Sequence, residues 1–212
     1  VESSKSAGMA SPQVAFDAAT AVPAGEAASA VAADLQYTSA MKKMHWATGL
    51  AIVTCFGTVT AAHYTSKKER KPNLMFIHKS TGVLVLCLTT ARLALRFRSR
   101  LPPDLPGGYK LEHFLANIGH VGMYALSFAL PMSGIAMGIL GGKGVPFFGI
   151  AQIPGLPTPK PKLAKKAFGT HKALGNVFEF MTLSHVGAVG FHLARGQRIM
   201  RRMNPFARPA GN

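Results

Sequence analysis

Four apolar stretches, each long enough to cross a bilayer at about 20 residues per span, constrain this chain more than any other feature. They run from Met41 to Tyr64, Leu74 to Leu95, Leu111 to Leu140 and Ala167 to Leu193. Basic clusters separate them: Lys67, Lys68, Arg70 and Lys71; Arg96, Arg98 and Arg100; Lys160, Lys162, Lys165 and Lys166; then Arg195 onward. This segregation is how a net charge of +16 coexists with a positive mean hydropathy of +0.20. It argues against an ordinary soluble enzyme and against a disordered basic tail. A nucleic-acid binder fails too, because the basic residues fall between long apolar runs. A soluble bundle of buried helices would lack the polar surface to stay in water. Cys55 and Cys87 lie inside apolar runs without CxxC spacing, so they indicate neither a disulfide framework nor a zinc site. Pro131 falls inside the third stretch, where neighbouring helices can satisfy the carbonyl it frees. The predicted fold class is an all-α membrane protein, a bundle of four transmembrane helices.

The flanks divide the chain further. Residues 1–38 form an Ala/Ser-rich arm whose acids, Glu2, Asp17, Glu26 and Asp34, face a single Lys5. Transit peptides are Arg-rich and acid-poor, so the arm reads as a mature N-terminal segment left after a leader is removed or the chain trimmed. It cannot bury a core of its own, and an arm that needs something to hold it points to a larger assembly. Residues 39–197 make the membrane domain and 198–212 a basic tail. Four spans put both termini and the second loop on one side. That side carries Lys5, Lys42, Lys43, Arg92, Arg96, Arg98, Arg100, Lys110 and the C-terminal arginines. The excess of Lys and Arg there predicts that both termini face the cytoplasm, matrix or stroma.

The histidines carry the chemistry. All 8 lie in or at the edges of the spans, where ionisable residues are functional by default. Two neutral imidazoles on facing helices can clamp one haem iron from both sides. Depth decides which of them pair. His45 enters the first span from the terminus side, and His78 enters the second from the opposite side. His171 and His185 share the fourth span, separated by 14 residues or about 21 Å along the axis. The same spacing turns them by only about 40°, so both look toward one interior face. His171 is then level with His78, and His185 with His45, which predicts two b-type haems stacked across the membrane. Gly49, Gly82 and Gly175, each four residues after a histidine in HWATG, HKSTG and HKALG, leave room for a flat ring.

Other residues carry two readings each. Arg92 and Arg96 suit anionic haem propionates, or mark the interface as snorkelling arginines. Lys79 and Lys172 invite the same pair of readings. Trp46 reads as an interfacial belt residue or as packing on a haem edge or quinone head. His120, deeper in the third span, is a hydrogen-bonded core histidine, a quinone or proton-relay residue, or an axial ligand. Glu179 lies about 80° round the helix from His171 and serves a proton relay or a hydrogen bond to another helix or subunit. His63 and His113 read as interfacial, and His192 as interfacial or a neighbour of the propionates.

MHWATGL, FIHKSTGVLVL followed by ARLALR, LANIGHVGMYALSFALPMSGI, THKALGN with His185 beyond it, and IMRRMNP together resemble the helices and closing motif of the bacterial di-haem cytochrome b561 family. The resemblance covers residue 41 to about residue 206. It implies His45, His78, His171 and His185 as axial ligands, none from the third helix, and Arg92 and Arg96 closing the second. Members of that family include a superoxide oxidase that passes electrons to ubiquinone. Asn117 and Thr170 depart from the family's usual residues beside His120 and His171, so quinone and redox-partner contacts do not carry over directly. The long arm is foreign to the compact bacterial form and points to an organellar descendant or a subunit of a larger complex.

The expected function is therefore transmembrane electron transfer through two bis-histidine b haems, from superoxide or another donor to the quinone pool. Such a chain is a candidate superoxide:quinone oxidoreductase. Lysines of the first and third loops would form a positive collar able to steer a small anion. The alternatives are a cytochrome b subunit fed by a bound protein and a haem-containing or structural accessory subunit of a respiratory or photosynthetic complex. Expected partners are membrane lipid, a quinone and such subunits, with no nucleic acid. Bacterial cytoplasmic membrane, mitochondrial inner membrane and thylakoid all suit a multi-pass protein of this kind.

Overall fold

The computed structural model describes residues 37–99, 109–197 and 199–206. Nearly all of the N-terminal arm, the second loop over 100–108, and Arg198 and 207–212 of the basic tail lie outside the described residues. Among the described residues there are four long helices: α1 (Ser39–Tyr64), α2 (Arg70–Arg98), α3 (Lys110–Leu140) and α4 (Pro161–Ala194). Each is long and apolar enough to cross a membrane. A hairpin of β1 (Val145–Phe147) and β2 (Ala151–Ile153) joins α3 to α4, and α5 (Met200–Met203) follows α4. Successive helices pack against one another, α1 on α2, α2 on α3 and α3 on α4.

The helices outrun the apolar stretches that predict them. Arg70 and Lys71 open α2, and Lys162, Lys165 and Lys166 lie on α4 rather than in the third loop. Charge ends an apolar run but not a hydrogen-bond ladder: lysine is a good helix former, and Pro161 suits the first helical position. At the start of α1 the Thr38 hydroxyl accepts the Met41 N–H at 3.3 Å, a side-chain cap on an otherwise orphan donor.

The bundle is apolar outside and partly polar inside. Leu50, Val121, Phe180 and Leu183 are exposed, while Thr48, Ser80, Thr81, Thr89 and Ser127 are buried. Lipid is as apolar as leucine, so helices in a bilayer gain little by hiding leucine and pack instead through small residues. A central cluster of Ala51, Ile52, Val85 and Phe178 forms the core, with the Phe56 and Phe178 rings 5.8 Å apart.

Among the described residues the hairpin is the one departure from a wholly helical reading. Phe148 and Gly149 both have positive φ (49° and 74°), and the Ile150 N–H closes on the Phe147 carbonyl at 2.9 Å, the geometry of a type I′ turn. Ser80, fully buried on α2, tethers it. Its hydroxyl accepts the Phe148 N–H at 2.9 Å and donates to the Pro146 carbonyl at 3.3 Å. Ser80→Ala leaves both groups without that partner, at a cost of about 1–2 kcal/mol. A lowered Tm in detergent is the expected result, and an unchanged one would contradict the tether.

Candidate functional site

At the hairpin end of the bundle, α2 brings His78 and α4 brings His171 to face one another. Their ring centroids are 6.2 Å apart and their planes nearly perpendicular, at 86°. A cavity of about 120 Å³ opens here, lined by both histidines together with Lys79, Gly82, Gly134 and Val145. Each ring is held through Nδ1. The Nδ1–H of His78 donates to the Cys55 carbonyl of α1 at 3.0 Å. That of His171 donates to the Leu130 carbonyl of α3 at 3.0 Å, with Ser133 Oγ also 3.0 Å away. The Ser133 hydroxyl donates to the same carbonyl at 2.7 Å. A carbonyl only accepts, so both imidazoles carry the proton on Nδ1 and present Nε2 as the metal-binding nitrogen.

Gly134 makes the position of His171 possible. A Cβ there would lie 3.1 Å from His171 Cε1 and 3.3 Å from Nδ1, tighter than ordinary contact. One turn away, Pro131 lies inside α3, where a proline removes a ladder donor. Neither Gly134 nor Ser133 stands out in the sequence as part of a site; the legible signal was only Pro131.

At the other end, α1 and α4 bring His45 and His185 together, again with centroids 6.2 Å apart and planes at 64°. His120 of α3 joins them, its ring edge-on to His185 at 5.8 Å. Arg92 acts electrostatically on all three imidazoles. Its guanidinium lies over the Tyr124 ring at 5.0 Å, and that of Arg96 over the same ring at 5.7 Å. Among the described residues, His45 Nδ1 and Arg92 Nε are buried with no hydrogen-bond partner. Trp46 sits edge-on to His45 at 5.8 Å, and its indole N–H donates to the Met203 carbonyl at 2.7 Å, fastening α5 across this end. Nearby, Arg195 binds Glu112 at 2.7 Å, and His192 Nδ1 contacts Gln197 Oε1. Glu179 is exposed on α4, outside both histidine groups.

The residues fit haem at both ends. A metal–imidazole bond of about 2.0 Å and about 1.1 Å from nitrogen to ring centroid, taken twice, give a centroid separation of about 6.2 Å. Both pairs stand at that distance. Each facing pair supplies two imidazoles to one iron, whose remaining positions a haem macrocycle would fill. A methyl group added at Gly49 or Gly82 would meet no protein atom within 4 Å, and one at Gly175 only Leu130 Cδ1 at 4.0 Å. A planar ring can therefore approach those helices. Arg92 Nε, buried and without a partner among the described residues, is a donor that could meet a propionate.

Comparison with known proteins agrees with this chemistry. The family model of prokaryotic cytochrome b561 matches residues 36–205. The chain is 26% identical over 163 residues to cytochrome b561 homolog 1 of Escherichia coli (strain K12), covering 76% of this chain and 92% of that protein. It is 26% identical over 171 residues to the probable superoxide oxidase CybB of Yersinia pestis, covering 80% and 96%. It is also 29% identical over 114 residues to cytochrome b561 homolog 2 of Escherichia coli, covering 52% and 59%. With four membrane-spanning helices and paired intramembrane histidines behind that match, the chain belongs to the prokaryotic cytochrome b561 family, integral membrane proteins that bind haem b and carry electrons.

Proposed function

We propose that this protein is a superoxide:quinone oxidoreductase with two haem b sites. His78 and His171 would hold one haem near the hairpin, His45 and His185 a second toward the termini. The observation that carries this reading is the 6.2 Å separation of both pairs. Bound there, haem supplies one-electron ferric/ferrous chemistry with no open iron position, which favours outer-sphere transfer over oxygen binding. The balance is two superoxide anions oxidised to two molecules of dioxygen while one quinone takes up two electrons and two protons to become quinol.

The chain's own residues divide the remaining work. On the hairpin side Lys67, Lys68, Lys160, Lys162, Lys165 and Lys166 are exposed, and a cationic collar there would raise the local concentration of a small anion. On the terminus side Arg92 and Arg96, stacked on Tyr124, hold propionates. His120, beside His185, is the group we assign to hand protons to the quinone. That end lies toward the cytoplasm by the distribution of Lys and Arg. Residues 39–197 constitute the electron-transfer domain, flanked by the arm and the basic tail.

The test is to generate superoxide enzymatically from dioxygen in the presence of the oxidised protein and follow haem reduction. Reduction that slows severalfold between about 0.01 and 0.15 M salt, as the Debye length falls from about 30 to about 8 Å, is expected. Haem left oxidised by superoxide would contradict the assignment.

One observation favours a second reading, membership in a larger membrane complex. Asn176 and Glu179 are exposed near the middle of α4, where a carboxylate in hydrocarbon is costly unless another chain covers it. Co-purification of a partner in mild detergent, lost in Glu179→Leu, would favour that reading.

A further inference from the structure

We propose that the hairpin between α3 and α4 is a re-entrant element, its tip, Phe148-Gly149-Ile150, packed among the lipid acyl chains of the leaflet on its own side. Lipid is then met by a segment that is not one of the four spanning helices.

Depth is set by Ser80. It lies six residues beyond Leu74, where the apolar stretch of α2 opens, or about 9 Å further along the helix at about 1.5 Å per residue. Its hydroxyl accepts the Phe148 N–H at 2.9 Å and donates to the Pro146 carbonyl at 3.3 Å. The turn is thus fixed beside α2 at a level inside the apolar band, two residues past His78. β1 packs along α2 and also touches α3. The chain therefore leaves α3 at Leu140 and returns toward the bilayer before α4 begins at Pro161.

The hairpin has the construction that this depth demands. Non-helical backbone in hydrocarbon is tolerated only where its polar groups find partners within the protein. β1 pairs with β2 from Val145↔Ile153 to Phe147↔Ala151. Pro146 has no N–H to satisfy, and the Ile150 N–H closes on the Phe147 carbonyl at 2.9 Å. The Gln152 side-chain amide donates to the Lys143 carbonyl at 3.3 Å. Between Lys143 and Lys160 the sequence holds no charged residue. What the tip turns outward is apolar, with Ile150 82% and Phe148 42% exposed. Two large apolar side chains at a loop tip lose free energy by facing water and lose none by facing lipid.

The inner face of the hairpin meets the histidines. Val145 is buried and lines the cavity beside His78 and His171. With lipid on the tip and the histidine pair behind β1, the hairpin closes this flank of the pocket to water and to charged solutes. In the superoxide reading, an anion must then approach from the end of the bundle.

The test uses the full-length, haem-loaded protein in phosphatidylcholine nanodiscs, where neither face of the bilayer is sealed off. One sample is irradiated with a diazirine reagent dissolved in the acyl chains. Another is exposed to hydroxyl radicals made by radiolysis of water, and modified residues are read by mass spectrometry. Leu183, exposed well inside α4, is the standard for lipid, and Phe206, exposed beyond α5, the standard for water. Carbene adducts on Phe148 and Ile150 at the level of Leu183, with loss of the hydroxylation seen at Phe206, are the expected result. Hydroxylation at the level of Phe206 without carbene adducts would place the tip in water. Absence of both labels would mean that another protein surface covers it. Either of these two results would overturn the proposal. Photolabelling reads depth and not turnover, so its outcome is independent of whether superoxide is the donor.

Discussion

Replacing His171 with alanine is expected to remove about half of the bound haem and to cut electron transfer from superoxide to quinone by ~100-fold or more, beyond the range seen when only an outer-shell partner of a metal ligand is lost. The loss follows from geometry. His171 is one half of a pair whose centroids stand 6.2 Å apart, and its Nδ1 is already committed to Leu130. His185 cannot take its place: it lies about 21 Å further along α4 by helix rise, paired with His45. Haem content by pyridine haemochrome, with helix content by circular dichroism as the control for folding, reads the result. A variant that folds and keeps its full haem would show that His171 is not a ligand.

Gly134→Val should have nearly as large an effect without touching a ligand. A Cβ alone would sit 3.1 Å from His171 Cε1, and valine adds two branched methyls that push the imidazole off the Leu130 carbonyl. Overpacking of this kind costs about 1–3 kcal/mol. Here the strain falls on one histidine, so the hairpin-side haem should be lost and the terminus-side one kept. Gly187→Val, where nothing lies within 4 Å, is the matched control and should keep both. Equal haem in the two variants would contradict the role given to Gly134.

The membrane bundle was legible in the sequence because bilayer thickness and helix rise are fixed quantities. Any four apolar runs of that length in a chain of 212 residues must span. The same rise sets His171 level with His78 and His185 level with His45, and the structure brings those residues together. Rotation about a helix axis relative to its neighbours was not legible. The approach of His120 to His185 at 5.8 Å depends on how α3 turns against α4, which spacing within one helix does not set. The acceptors of the hairpin-side histidines were also hidden. A backbone carbonyl has no letter, and Leu130 and Cys55 look like ordinary apolar residues. Gly134 resembles the many glycines that face nothing. The hairpin escaped because two three-residue strands joined by Phe148-Gly149-Ile150 carry too short an alternation to separate from a loop. Trp46 read as a belt residue or as packing on a haem edge or quinone head, and neither reading pointed to the Met203 carbonyl that its indole N–H holds, a contact spanning most of the chain.

The measurement that bears most directly on the account is the dithionite-reduced minus oxidised absorbance spectrum of the purified full-length protein, with haem quantified per polypeptide. Two haems b per chain, both with the absorption of six-coordinate bis-histidine iron, is the result the paired imidazoles predict. A single haem, or none in a protein whose four helices are intact, would contradict it.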